Sequence, residues 1–154
     1  MRIEQLMQKN VRTVTAEQTL NDAAQILWER DCGCVPVVSE DGTRRVVGML
    51  TDRDIVMAAY TQGRDLHGIR VCAAMSPSVQ TCRPGDTVED AEAILRQAQV
   101  RRLPVVDEAD QLVGIVSLSD LARAAAGCRS QKKPAIDEAG VAETLASICR
   151  PREV

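Results

Sequence analysis

Two stretches of the 154-residue chain carry the same chemistry-bearing phrase: GMLTDRDI from Gly48 to Ile55 and GIVSLSDL from Gly114 to Leu121. In each, a hydroxyl side chain (Thr51, Ser117) stands three positions ahead of a carboxylate (Asp54, Asp120). That spacing has two uses. A hydroxyl at the end of a strand caps the helix that follows, and an acid three residues on completes a capping box. The same carboxylate, standing at a helix entrance, can also accept one hydrogen bond from each of two neighbouring sugar hydroxyls. The unpaired N–H groups of the first helical turn, at the positive end of the helix dipole, suit a phosphate nearby. Gly48 and Gly114 favour the second use, because glycine inside an apolar strand is unfavourable unless something approaches closely. Thr19/Asp22 and Thr87/Asp90 have the same spacing and need only the cap. Spacing by itself leaves both readings open.

The phrase recurs because the chain is duplicated. At a shift of 68 positions, Arg2, Ile3 and Met7 fall on Arg70, Val71 and Met75, Thr13 on Thr81, and VPVV (35–38) on LPVV (103–106). After a two-residue gap the shift becomes 66, and VVGMLTDRDI lies on LVGIVSLSDL. Each copy reads as a short extended piece (Val11 to Thr15; Val79 to Cys82) followed by an amphipathic helix that starts at Thr19 or Thr87. Two strands joined by a turn come next, then a second helix running from about Thr51 to Tyr60 or from Ser117 to Ala126. The predicted class is α+β (of the α/β type): two β-α-β-β-α units, residues 1–66 and 67–126, followed by a linker and a short helix in 127–154. A unit of that size struggles to bury enough surface alone. The expectation is therefore a pseudo-twofold pair of units with equivalent clefts across their interface.

Composition narrows the function classes. The chain has 45% hydrophobic residues, a net charge of −3, one Trp, one Tyr and no Phe. Aromatic stacking platforms and a dense basic stripe are both missing, which speaks against a nucleic-acid partner. The longest apolar runs are too short to span a bilayer, and the first ten residues lack the apolar core of a signal peptide, so a cytoplasmic protein with no membrane partner is expected. Six cysteines and a single histidine, with no C-x-x-C, make a metal centre unexpected and leave reduced thiols or a redox pair. With no Ser/His/Asp set and no phosphate-binding glycine loop, an enzyme is not expected, and His67 reads as a surface residue between the copies.

The ordered set TVTAEQTLNDAAQIL, CVPVVSEDG and VVGMLTDRDI resembles the cystathionine-β-synthase (CBS) domain, which is used as a tandem pair. So does its second-copy counterpart, from SVQTCRPGDTVEDAEAIL through VRRLPVVDEADQ to LVGIVSLSDL. The likeness spans about residues 1–126 and is similar to small stand-alone bacterial CBS-pair proteins. It implies a non-catalytic regulatory module that holds an adenosine-containing ligand (AMP, ADP, ATP, an NAD-type dinucleotide or S-adenosylmethionine) in the cleft between repeats, with no required cofactor. By that resemblance Thr51, Asp54, Ser117 and Asp120 hold the ribose. Arg101 and Arg102 meet phosphate, with Arg53 as a further cation where the first copy has Cys34 in place of Arg102. Thr13, Val14, Val35, Thr81, Cys82 and Leu103 form the adenine slot, although plain core membership also accounts for the apolar ones. A population shift on binding would be read by a separate regulated protein. The alternative is a ligand-free dimeric interaction or stress protein, under cysteine redox control.

Two further features bear on partners. IDEAGVAETLASICR places Val141, Leu145 and Ile148 at helical spacing ahead of Pro151, a short helix that must dock on its own body or on a second subunit. Cys149 on this helix could pair with a body cysteine under oxidation. Trp28 is either core or an association face for the homodimer that the resemblance implies.

Overall fold

The computed structural model describes residues 1–127 and 136–151; Cys128 and all but the first residue of the GCRSQKKP linker lie outside them. The fold is α+β, with five α-helices and two small sheets among the described residues. The first copy contributes β1 (Val14–Thr15), α1 (Leu20–Glu29), β2 (Cys34–Val38), β3 (Val46–Thr51) and α2 (Asp52–Gln62). The second contributes α3 (Val88–Ala98), β4 (Arg102–Val106), β5 (Leu112–Ser117) and α4 (Leu118–Gly127), and the chain continues into α5 (Glu138–Ile148). The extended piece expected at Val79 to Cys82 shortens to a single parallel bridge, Cys82 to Val105.

In the first sheet β1 runs parallel to β2, and β2 runs antiparallel to β3 with Cys34 opposite Thr51 and Val35 opposite Leu50. The β2–β3 turn is held by Asp41, whose carboxylate accepts from the Ser39 and Thr43 hydroxyls and from the Thr43 N–H. Those three donors pull its pKa down to about 2. Gly42 supplies the positive φ of +80° that the turn requires.

Two compact units result, and neither is one uninterrupted stretch. One comprises residues 10–79 with 109–112; the other comprises 1–9, 80–108 and the described part of 113–154. The opening segment Met1 to Lys9 thus belongs with the second copy, and its equivalent around Val71 belongs with the first. Ile3 is fully buried among Val88, Leu95, Leu103 and Leu121, with its N–H donating to the Asp86 carbonyl at 3.0 Å. Val71 is equally buried among Val14, Leu20, Val35 and Leu50, with its N–H donating to the Gln18 carbonyl at 2.8 Å. With no Phe to fill space, both cores are aliphatic.

Each leader also adds a rung to its sheet: Ser76 pairs with Met49, and Gln8 with Ile115. This is what approaches the strand glycines. A Cβ at Gly48 would stand 2.6 Å from Met75 Sδ and 3.2 Å from the Ser76 carbonyl. At Gly114 the figures are 2.7 Å to Met7 Sδ and 3.1 Å to the Gln8 carbonyl. The close approach that the sequence demands is therefore made by the protein's own leader segments, methionine side chain first and backbone carbonyl second, which removes the glycines as an argument for a ligand. Gly48→Ala and Gly114→Ala should each destabilise the protein by about 1–3 kcal/mol through overpacking. Urea unfolding measures this, and Met75→Ala should relieve part of the Gly48→Ala cost.

Candidate functional site

The two strand-to-helix junctions are built alike. In the first-copy unit the Asp54 N–H donates to Thr51 Oγ1 (3.2 Å), while Asp54 Oδ2 accepts from the Thr51 N–H (2.8 Å) and hydroxyl (2.7 Å). In the second-copy unit the Asp120 N–H donates to Ser117 Oγ (3.2 Å), and Asp120 Oδ2 accepts from the Ser117 N–H (2.8 Å) and hydroxyl (2.5 Å). Both sites are full capping boxes. Thr19/Asp22 and Thr87/Asp90 close the same box, so these contacts alone distinguish nothing as a ligand site.

The second carboxylate oxygen separates the copies. Asp120 Oδ1 accepts from Gln8 Nε2 at 3.2 Å and from the Arg123 guanidinium, and the residue is 7% exposed. Its acceptor capacity is engaged by the protein itself. At the matching positions of the first copy stand Ser76 and Met57. Asp54 is half-buried, and nothing among the described residues donates to its Oδ1. An oriented carboxylate with one free oxygen at a helix entrance is the arrangement a diol needs.

The Arg101 carbonyl accepts from the Leu118 N–H at 3.0 Å, which puts the start of β4 beside the Ser117 helix entrance. Arg101 is exposed and Arg102 half-buried. The Gly33 carbonyl likewise accepts from the Asp52 N–H at 3.3 Å, so the same position next to Thr51 holds buried Cys34 rather than an arginine. Arg53 is exposed on the first turn of α2, a turn that also carries Asp52 and Asp54.

The expected adenine-slot residues divide by depth. Val14, Val35, Cys82 and Leu103 are 0–2% exposed and sit in the two cores, the plainer of the roles weighed for them. Thr13 and Thr81 are half-buried at the strand margins. Burial pushes the Cys82 thiol up to about 12, which makes it unreactive. Cys32, Cys72 and Cys149 are exposed thiols, and none of the five described cysteines is in a disulfide. Among the described residues, His, Cys, Asp and Glu form no group fit to hold a metal ion, and no helix is long and apolar enough to cross a membrane. Gln8 and Arg123 are the site residues that sequence reasoning missed. Arg123, three residues after Asp120 on one helix, was available as a signal; Gln8, 112 positions away, was not.

Comparison with known proteins agrees with the duplicated architecture. A family model for the CBS domain matches twice, at residues 3–60 and 70–127. The chain is 42% identical over 120 residues to the CBS domain-containing protein YhcV of Bacillus subtilis, covering 78% of this chain and 82% of that one. Among solved structures, the conserved CBS-domain protein TA0289 of Thermoplasma acidophilum superposes with a TM-score of 0.78 at 26% identity, over 96% of this chain and 75% of that chain. The structure of CBSX2 in complex with AMP superposes with a TM-score of 0.70 at 28% identity, over 83% of this chain and 98% of that chain.

The unequal carboxylates predict unequal costs on truncation. Asp54→Ala should lose only its cap, about 1 kcal/mol. Asp120→Ala, which also strands Gln8 and Arg123, should cost about 2–3 kcal/mol. Urea denaturation of the two variants side by side checks the ranking.

Proposed function

Since the chain belongs to the CBS-domain family, we propose that it is a non-catalytic sensor module whose ligand is an adenosine-type molecule, with its ribose held at Thr51 and Asp54. The supporting observation is the half-buried Asp54 carboxylate, oriented by its capping box and with Oδ1 free of any donor among the described residues. The AMP bound by the structural neighbour supports the chemical class. On this reading the ribose diol donates to Asp54 Oδ1, and the phosphate draws on Arg53, exposed on the first turn of the same helix. Asp120, already engaged by Gln8 and Arg123, serves chiefly to hold its own unit together. Ligand binding then shifts the population toward one conformation, which a regulated partner protein reads.

A thermal-shift series with adenosine, AMP, ADP, ATP, NAD and S-adenosylmethionine tests this. The preferred compound should raise Tm by roughly 5–10 °C at about a hundredfold over Kd. Asp54→Ala should abolish the rise relative to its own baseline, whereas Asp120→Ala should lower the baseline and keep the rise. Arg53→Ala should weaken AMP more than adenosine. No rise with any of the compounds, or a rise that survives Asp54→Ala, would refute the site.

The partner surface also has a candidate. Val56, Met57 and Tyr60 lie along α2, 64%, 45% and 80% exposed, and Trp28 on the adjoining α1 is 89% exposed. Trp28 is thus not a core residue. Docking of the two aromatic residues alone would bury on the order of 300–400 Å², close to half of the roughly 800 Å² per partner that a stable interface needs. We propose a homodimer through this face. Light scattering should give twice the chain mass for the wild type and the single-chain mass for Trp28→Arg combined with Tyr60→Glu.

A further inference from the structure

Helix α5 packs on α3 and α4 and closes over a carboxyl group. Glu92, on α3, is 7% exposed, and its Oε1 is buried with no hydrogen-bond partner. Oε2 lies 3.9 Å from Arg96 NH1, too far for a hydrogen bond. The same Arg96 nitrogen donates instead to Thr144 Oγ1 of α5 at 2.8 Å. From the other side the first turn of α5 presses on the group: a Cβ at Gly140 would stand 3.3 Å from Oε2 and 3.7 Å from Oε1. Docking α5 therefore strips water from Glu92 and draws away the cation best placed to neutralise it.

Such an environment suits the neutral acid. Burial pushes the Glu92 carboxyl above the ordinary glutamate range; Arg96 opposes this, and Glu89, Asp137 and Glu143 reinforce it. Helix α4 brings Asp120 and Arg123, which pair with each other. We propose that α5 is a proton-sensitive latch, seated on α3 and α4 over neutral Glu92 and loosened when Glu92 ionises. Undocked, Glu92 faces water and titrates in its usual range; docked, it holds its proton to higher pH. Its contribution to docking is thus complete below the ordinary glutamate range and is lost as pH rises through the docked-state value. Release would uncover the apolar surface now covered by Ile136, Val141 and Ile148.

Hydrogen exchange of the peptide covering residues 138–148 tests the latch, between pH 5 and 8 and normalised for intrinsic exchange. Wild-type protection should fall with pH, by about tenfold for each pH unit that separates the docked and undocked titrations. Glu92→Gln, checked for folding by circular dichroism, should hold its protection flat across the range. Arg96→Met, which leaves ionised Glu92 without its cation, should move the loss to higher pH and keeps the test alive should Glu92→Gln fold poorly. Wild-type protection that is flat or rises with pH would overturn the proposal, as would an unchanged pH dependence in Glu92→Gln.

Discussion

A carboxylate has two oxygens, and each of four helix starts in this protein uses one of them in the same way. A Thr or Ser accepts the N–H three residues on, and the acid there accepts the hydroxyl and the backbone N–H in return. This exchange satisfies orphan donors of the helix and of the strand end together, and it fixes the carboxylate in orientation. What then separates the two strand-to-helix junctions is what reaches the other oxygen. At Asp120 it is Gln8 and Arg123, so the group becomes structural cement. At Asp54 the positions that could reach it carry Ser76 and Met57, and the oxygen stays available.

Much of this was legible in the sequence because duplication doubles every signal. Thr51 and Ser117, or Val35 and Leu103, could be placed on the same element twice over. What escaped was the identity of neighbours distant along the chain. The 68-residue shift pairs Ile3 with Val71 as equivalents, but it says nothing of which core each one fills. From that gap follow the missed Gln8 contact and the misread glycines, whose close neighbours are Met7 and Met75. A smaller miss has a local cause. The apolar spacing of α5 nominated Val141, Leu145 and Ile148, yet Leu145 is 47% exposed and Thr144 fully buried. A threonine can fill a core position when its hydroxyl is satisfied, here by the Gly140 carbonyl and Arg96.

The copies have diverged most on their helical faces. Where the second has Glu92, Arg96 and Gln99, the first has Ala24, Trp28 and Asp31. The polar set is what holds α5: Arg96 binds Thr144, and the Gln99 amide reaches the carbonyls of Ser147 and Arg150. Trp28 offers no such donors at the right places, only area. One scaffold thus presents a polar seat occupied in cis and an apolar face suited to a different neighbour. Asp31 and Gln99 both keep a left-handed backbone, φ 47° and 50°, so the helix-ending geometry outlasted the change in side-chain role.

The trading of leader segments sets an order of events during synthesis. On a chain made from its N-terminus, residues 1–9 emerge well before the groups that receive them, Asp86 and Ile115. The first-copy core can close once Val71 and Ser76 are out, while Ile3 must wait unpaired on the nascent polypeptide. A gene fragment encoding either repeat by itself would therefore lack the leader that its own core buries.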